Sequence, residues 1–207
     1  MHMIEVSNLI KTFKVQHFGG GTVKDGMLSL WSRNSYSENF IALDDVSFAV
    51  REGEFFGIVG PNGCGKSTLL KLLAGIYTPT AGRISVKAAA VPLFGLGAGF
   101  HPQLTARDNV YLHGMIMGMR KEHISARMAA IVDFAELKDF MDTRLMHLSS
   151  GMRVRLGFAL AVQAESPILL LDEVLAGGDE HFRDKCYREI DRFRQERRTI
   201  VLVSHAC

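Results

Sequence analysis

Over the first fifty or so residues, apolar and polar positions alternate in two stretches. "MIEVSNLIKTFKV" has the two-residue period of an edge-type strand, and "IALDDVSFAV" alternates through Val46, Phe48 and Val50. The turn residues "REGE" lead from the second stretch into "FFGIVG", so those two strands are expected to form an antiparallel patch. Between the alternating stretches lies "QHFGGGTVKDGMLSLWSRNSYSENF", rich in Gly, Ser and Asn. It predicts a long loop with a short helix around Met27 to Trp31.

Beyond Lys66 the period changes. "KSTLLKLLAGIY" stacks leucines at helical spacing and is broken by "TPTAG", while "GRISVKAAAVPLFGLGAGF" predicts short strands and a glycine-rich bend. From Thr105 to about Asp142 the chain reads as helices, and "MHLSSGMRVRLGFALA" places small polar residues before another helical run. "SPILLLDEV" and "RRTIVLVSH" are continuous apolar strands of the kind buried on both faces of a parallel sheet. Between them Phe182, Cys186, Ile190 and Phe193 form a helical stripe. The order predicts an α/β fold with a helical insert at about residues 105–165.

Composition narrows this picture without redirecting it. At 207 residues the chain is read as one domain, 1–207, with a sizeable core. Lys plus Arg (24) nearly balances Asp plus Glu (22), so charge gives no argument for a nucleic-acid partner. No run approaches the ~20 apolar residues of a membrane span, so direct membrane insertion is not expected, although contact with a membrane protein stays open. The start lacks a secretory pattern. The three cysteines, Cys64, Cys186 and Cys207, have no metal-like spacing and are odd in number, which fits a reduced cytosolic compartment.

"GPNGCGKST", from Gly60 to Thr68, fits GxxxxGK[ST] between an apolar strand and a helix. Gly60, Pro61, Asn62, Gly63, Cys64, Gly65, Lys66, Ser67 and Thr68 are therefore the candidate phosphate cradle. Its glycines let N–H groups converge, and the helix N-terminus adds a field favourable to an anion. Lys66 would reach the β- and γ-phosphates, and the Ser67 hydroxyl would ligate Mg²⁺. Cys64 fills a variable slot as a small residue. The sharper alternative is a thiolate stabilised by the helix N-terminus and Lys66. Adjacent carboxylates in "ILLLDEV" point to opposite sides of a strand end, so they can hold different jobs. Asp172 would bind Mg²⁺, and Glu173 would orient and deprotonate the attacking water. These residues predict an NTP hydrolase.

"LSSGM", Leu148 to Met152, resembles the LSGGQ signature of ATP-binding-cassette ATPases and lies between the phosphate loop and "LLLDE" as in that family. "AGGD", ending at Asp179, resembles the D-loop, and "LVSH", ending at His205, the switch histidine. The resemblance covers essentially the whole chain. It implies a P-loop NTPase fold of the cassette type, with a mostly parallel core, an antiparallel patch and a helical subdomain. It also implies a homodimer that sandwiches two ATP molecules, in which Ser149, Ser150 and Gly151 of one copy cover the γ-phosphate held by the other. His205 would contact the γ-phosphate and help hold the water. The sequence departs from the family at Ser150 and Met152, and it has no Gln or Glu at Leu93 to Gly97, where the glutamine loop should fall. Gln103 lies later than that position. The adenine-stacking aromatic is expected at Phe13, with Trp31, Tyr36 and Phe40 as rivals.

Within the family, "LGAGFHPQLTARDNV", "LSSGMRVRLGFALA", "DEVLAGGD" and the stretched N-terminal loop with "LSLW" resemble exporters of surface polysaccharides: capsule, O-antigen and teichoic acid. That implies a cytoplasmic ATPase subunit, peripheral on the inner face of the membrane, paired with a separate permease. Residues around Phe100 to Val110 would receive the permease's coupling helix. Family members continue past the switch histidine, so the chain is expected either to be truncated or to have an unusually short C-terminal end. The lack of an appended carbohydrate-binding domain points toward the capsule-like type. Rival readings are a lipid or drug transporter ATPase, a DNA-repair or translation cassette, and a non-hydrolysing module. The missing long coiled coil and the single cassette speak against the repair and translation types. Intact Lys66, Asp172, Glu173 and His205 speak against the last.

Overall fold

A computed structural model describes residues 1–18, 35–96, 99–172 and 179–204. In chain order these form β1 (His2–Phe18), β2 (Ser35–Arg51), β3 (Phe55–Val59), α1 (Lys66–Leu73), β4 (Ala81–Val86), β5 (Ala90–Leu93), α2 (Ala106–Ile116), α3 (Lys121–Ala135), α4 (Ser150–Gln163), β6 (Ile168–Asp172), α5 (Glu180–Gln195) and β7 (Thr199–Ser204). A three-stranded antiparallel sheet has the order β2-β1-β4, and a four-stranded parallel sheet the order β3-β7-β6-β5.

The N-terminal region corrects three expectations. β1 is the central strand of its sheet, pairing with β2 on one side and β4 on the other. Alternation reveals a half-buried strand but not how many neighbours it has. β2 pairs with β1 and not with β3, which lies instead beside β7 in the parallel sheet. A turn between strands therefore did not make them partners, because β3 changes sheet at Glu52–Glu54. Finally, pairing continues to Phe18↔Ser35, so both ends of the predicted loop are strand. The helix expected around Met27 to Trp31 lies outside the described residues. β1 is bulged between Val6 and Leu9, where Asn8 sits at φ 47° and its side-chain amide donates to Asp45 at 2.8 Å. Gly82, at φ 82°, is obliged to be glycine, since a Cβ there would lie 2.2 Å from the Asn8 carbonyl oxygen.

β6 and β7 bury both faces, as their unbroken apolar pattern requires, whereas β3 at the sheet edge alternates between exposed and half-buried positions. Ile168 and Leu170 of β6 join Val201 and Val203 of β7 and Leu69, Leu70, Leu72 and Leu73 of α1, which the antiparallel sheet covers with Ile4, Val6, Leu9 and Val50. Leu169 and Leu171 point the other way, against Phe158, Ala161 and Val162 of α4 and Phe182, Cys186 and Phe193 of α5. The stripe expected on α5 is thus core, and burial pushes the Cys186 thiol up to about 12, leaving it protonated. α2, α3 and α4 bury a further cluster that includes Val110, Ile124, Ile131, Leu156 and Leu160. α4 serves both clusters, which anchors its C-terminal half while its first turn faces outward.

Candidate functional site

β3 ends at Val59 and α1 begins at Lys66, so the phosphate loop is the short connection between a parallel strand and a helix. Gly63 and Gly65 adopt left-handed backbone, at φ 81° and 96°. Gly65 is required twice over: a Cβ would meet the Ala42 carbonyl oxygen at 2.4 Å and Leu43 Cδ2 at 2.8 Å. β2 therefore braces the end of the loop. The helix start has no side-chain cap and no acidic residue in its first turn, which leaves its field available to an anion. Asn62 and Pro61 are exposed on the loop, and Thr68 is half-buried behind Ser67.

Lys66 is almost wholly buried, and its Nζ donates to the carbonyls of Gly60 at 2.7 Å and Pro61 at 2.8 Å. The lysine fixes the loop's shape as well as bringing it charge. The Ser67 hydroxyl donates to Asp172 Oδ2 at 3.3 Å, across 105 residues of sequence. The fold thus brings together the two residues expected to hold a metal. Cys64 is exposed and sits over Gly60, where a Cβ would be 2.8 Å from its Sγ. Glu173 and His205 lie outside the described residues.

Phe13 is half-buried and meets Tyr77 edge-on at 5.4 Å, with the Lys11 ammonium 4.9 Å from its ring. In the β1–β2 register Lys11 faces Leu43, which abuts Gly65, and Phe13 faces Phe40. Phe13 is therefore two strand positions from the brace of the phosphate loop. Its cross-strand neighbour Phe40 is 53% exposed. Trp31 and the Tyr36 side chain lie outside the description.

The signature stretch sits elsewhere. Ser149 caps α4 by accepting the Met152 N–H at 3.2 Å, and Ser149 and Ser150 are exposed. A cavity of about 610 Å³ opens here, lined by Ser149, Ser150, Gly151, Arg155, Glu136 and Asp179 among others. Among the described residues, no phosphate-loop residue lines it. Asp179 caps α5 through the Phe182 N–H at 2.9 Å, and that bond with the neighbouring Arg155 holds its carboxyl below the usual range. The residues expected to act on one nucleotide are thus divided between two separate surfaces of the chain.

Two polar residues had no part in the sequence expectations. Arg155 bonds Glu136 at 2.9 Å and also Asp179, while Lys185 reaches Glu136 at 3.1 Å. Asn109 is fully buried on α2; its Oδ1 accepts from the His101 N–H at 2.7 Å and its Nδ2 donates to the carbonyls of His101, Leu104 and Thr105. It staples the segment Phe100 to Val110, whose ring at Phe100 lies edge-on to His113 at 4.4 Å. An amide at helical spacing between Ala106 and Val110, on an apolar face, was the available signal. At the expected glutamine-loop position Leu93 is buried and Phe94 packs on the core. Gln103 is exposed, and its backbone N–H donates to His101 Nδ1 at 3.3 Å.

A strand–phosphate-loop–helix unit on a parallel sheet, with a carboxylate at the end of the strand next but one and a helical subdomain bearing a serine-capped helix, defines a cassette-type nucleotide-binding ATPase. The model of the ABC transporter family matches residues 43–176, and the chain belongs to that family. The O-antigen export system ATP-binding protein RfbB of Klebsiella pneumoniae is 39% identical over 98% of this chain and 83% of its own length. The teichoic acids export ATP-binding protein TagH of Bacillus anthracis is 38% identical over 99% of this chain but only 36% of its own. A dimeric ATP-binding cassette in a post-hydrolysis state, bound to ADP and Pi, superposes with a TM-score of 0.76 at 25% identity, covering 99% of this chain and 88% of that one.

Proposed function

We infer that this chain is the ATP-hydrolysing subunit of an exporter that moves a surface polysaccharide or lipid-linked glycan across the inner membrane through a partner permease. The observation that carries the ATPase reading is the 3.3 Å approach of Ser67 to Asp172 beside a loop clamped by Lys66. Similarity to RfbB and TagH supports the polysaccharide cargo. A hydroxyl and a carboxylate oxygen form a hard donor pair of the kind Mg²⁺ takes alongside nucleotide phosphates, so the residues fit that ion. Ser67 and Asp172 would hold it, and it would offset the negative charge of the nucleotide phosphates.

The chain's own groups do the rest. Lys66 exchanges loop carbonyls for phosphate oxygens, and Gly60 to Thr68 supply N–H donors. Phe13 stacks on adenine. Glu173 takes the proton of the attacking water, and His205 holds that water against the γ-phosphate. Because the signature cavity has no phosphate-loop lining among the described residues, Ser149, Ser150, Gly151 and Asp179 serve the nucleotide of a second copy. Residues 1–207 act as one nucleotide-binding domain with the insert at about 105–165. Among the described residues no helix is long and apolar enough to cross a membrane. The similarity to export-system ATP-binding proteins supports a subunit that works from the cytoplasmic face, docked on its permease.

The test compares ATP turnover and oligomeric state, with Mg²⁺, for the parent and Glu173→Gln. Turnover in the parent, with an inactive variant trapped as an ATP-bound dimer, is the expected result. A variant that hydrolyses ATP at the parental rate excludes Glu173 as the base. Co-purification with a permease whose membranes stimulate turnover tests the transport assignment.

A further inference from the structure

Three helix ends converge on one guanidinium. Arg155 lies one turn into α4, three residues beyond Met152, and is 19% exposed in its side chain. Its Nη1 donates to Glu136 Oε2 at 2.9 Å, its Nη2 to Asp179, and its plane covers the Phe182 ring at 5.2 Å. Each partner is itself fixed. Glu136 is the left-handed C-cap of α3, at φ 58°, and also takes Lys185. Asp179 is the N-cap of α5. Hydrogen bonding by Lys185, with help from Arg155, holds the Glu136 carboxyl below its usual range, so both acids are anions at neutral pH.

Exposed ion pairs contribute little to stability, so what this cluster supplies is geometry. A guanidinium is a planar fork that sets two acceptors at a fixed angle, and an ammonium is a point charge that does not. Arg127 offers an internal contrast: it bonds the Gln163 carbonyl and Glu165, tying α3 to the far end of α4 and touching neither Ser149–Met152 nor Asp179.

We propose that Arg155 is a positioning residue that locks the signature turn to the start of α5, so that Ser149–Gly151 and Asp179 present to a facing copy as one rigid surface. The proposal rests on the reading that two copies enclose ATP between phosphate loop and signature. The test uses the full chain with Arg155→Lys and Arg155→Met, and Glu165→Gln as the control. Three quantities are read: amide hydrogen exchange at Met152 and Phe182, nucleotide affinity of the single chain, and kcat and KM for Mg²⁺-ATP.

Arg155→Lys is expected to speed exchange at both amides and lower kcat about tenfold or more, with nucleotide affinity held within about twofold and Glu165→Gln at the parental rate. Parental kcat in Arg155→Lys overturns the proposal, as does faster exchange at only one of the two amides. Affinity lost in step with rate also overturns it, because that is the mark of a merely structural role. If the parent shows no ATP-dependent pairing, the two-copy reading falls, and the paired exchange at Met152 and Phe182 then decides by itself whether Arg155 couples them.

Discussion

The phosphate loop and the signature turn both deliver the N-terminus of a helix to solvent, yet they are built on opposite plans. α1 starts on Gly65 with no side-chain cap, and its geometry comes from left-handed glycines, a lysine bonded to loop carbonyls and the brace of β2. α4 starts on Ser149, which already satisfies the Met152 N–H, and beyond its packing in the core its first turns are tied to two distant carboxylates through Arg155. The first is an open anion site whose shape comes mainly from bonds within its own loop, with a single brace from β2. The second is a finished surface whose placement depends on residues far away in sequence. On the proposed two-copy reading, the first would grip a nucleotide and the second would cover one, which is why the two are built differently.

The sharpest way to break the contrast is at the gripping end. Lys66→Ala removes the loop's clamp and its cation together, and nucleotide affinity measured by calorimetry is expected to fall about 100-fold, from charge-assisted bonds of about 1.5–3 kcal/mol each. Gly65→Ala adds a methyl that clashes with backbone at 2.4 Å in a left-handed conformation, so it should lower both the melting temperature and nucleotide binding.

Gly151→Ala is the matched substitution at the covering end, where a Cβ meets nothing nearer than Ser149 Oγ at 3.9 Å. Fold and single-chain nucleotide affinity should be unchanged, while turnover falls because the methyl occupies the face offered to the other copy. A loss of single-chain affinity in Gly151→Ala would show that the two surfaces are not separate. Ser149→Ala should cost about 1 kcal/mol of stability through the lost cap, read from denaturant unfolding.

The smallest effect concerns acid. Glu136 and Asp179 have lowered carboxyl pKa values in the folded chain, so their stabilising contribution is complete above ordinary carboxylate values of about 4 and is lost as pH falls through the lowered ones. The melting-temperature gap between the parent and Glu136→Gln should hold from neutral pH down to about 5 and close below about 4.

Local pattern by itself determined a good deal here. The apolar runs at Ile168–Leu171 and Ile200–Val203 could only be strands buried on both faces, and the stripe through Phe182, Cys186 and Phe193 only a helix on one of those faces. The phosphate loop was equally legible, because the glycines, Lys66 and Ser67 act within a few residues of one another and their φ angles and bonds follow from that short span. What periodicity left open was partnership. It could not say that β1 would be central or that β2 would leave β3, since a strand's alternation records one buried face and not which strands flank it. It paired Ser67 with Asp172 only through the motif, whereas the 3.3 Å approach is made by packing α1 beside β6. It gave no sign of Arg155 among many surface arginines, or of Glu136 and Asp179 as its partners. Electrostatic contacts across 19 and 24 residues have no period to read, so only the folded chain, by bringing the ends of α3, α4 and α5 to one point, decided them.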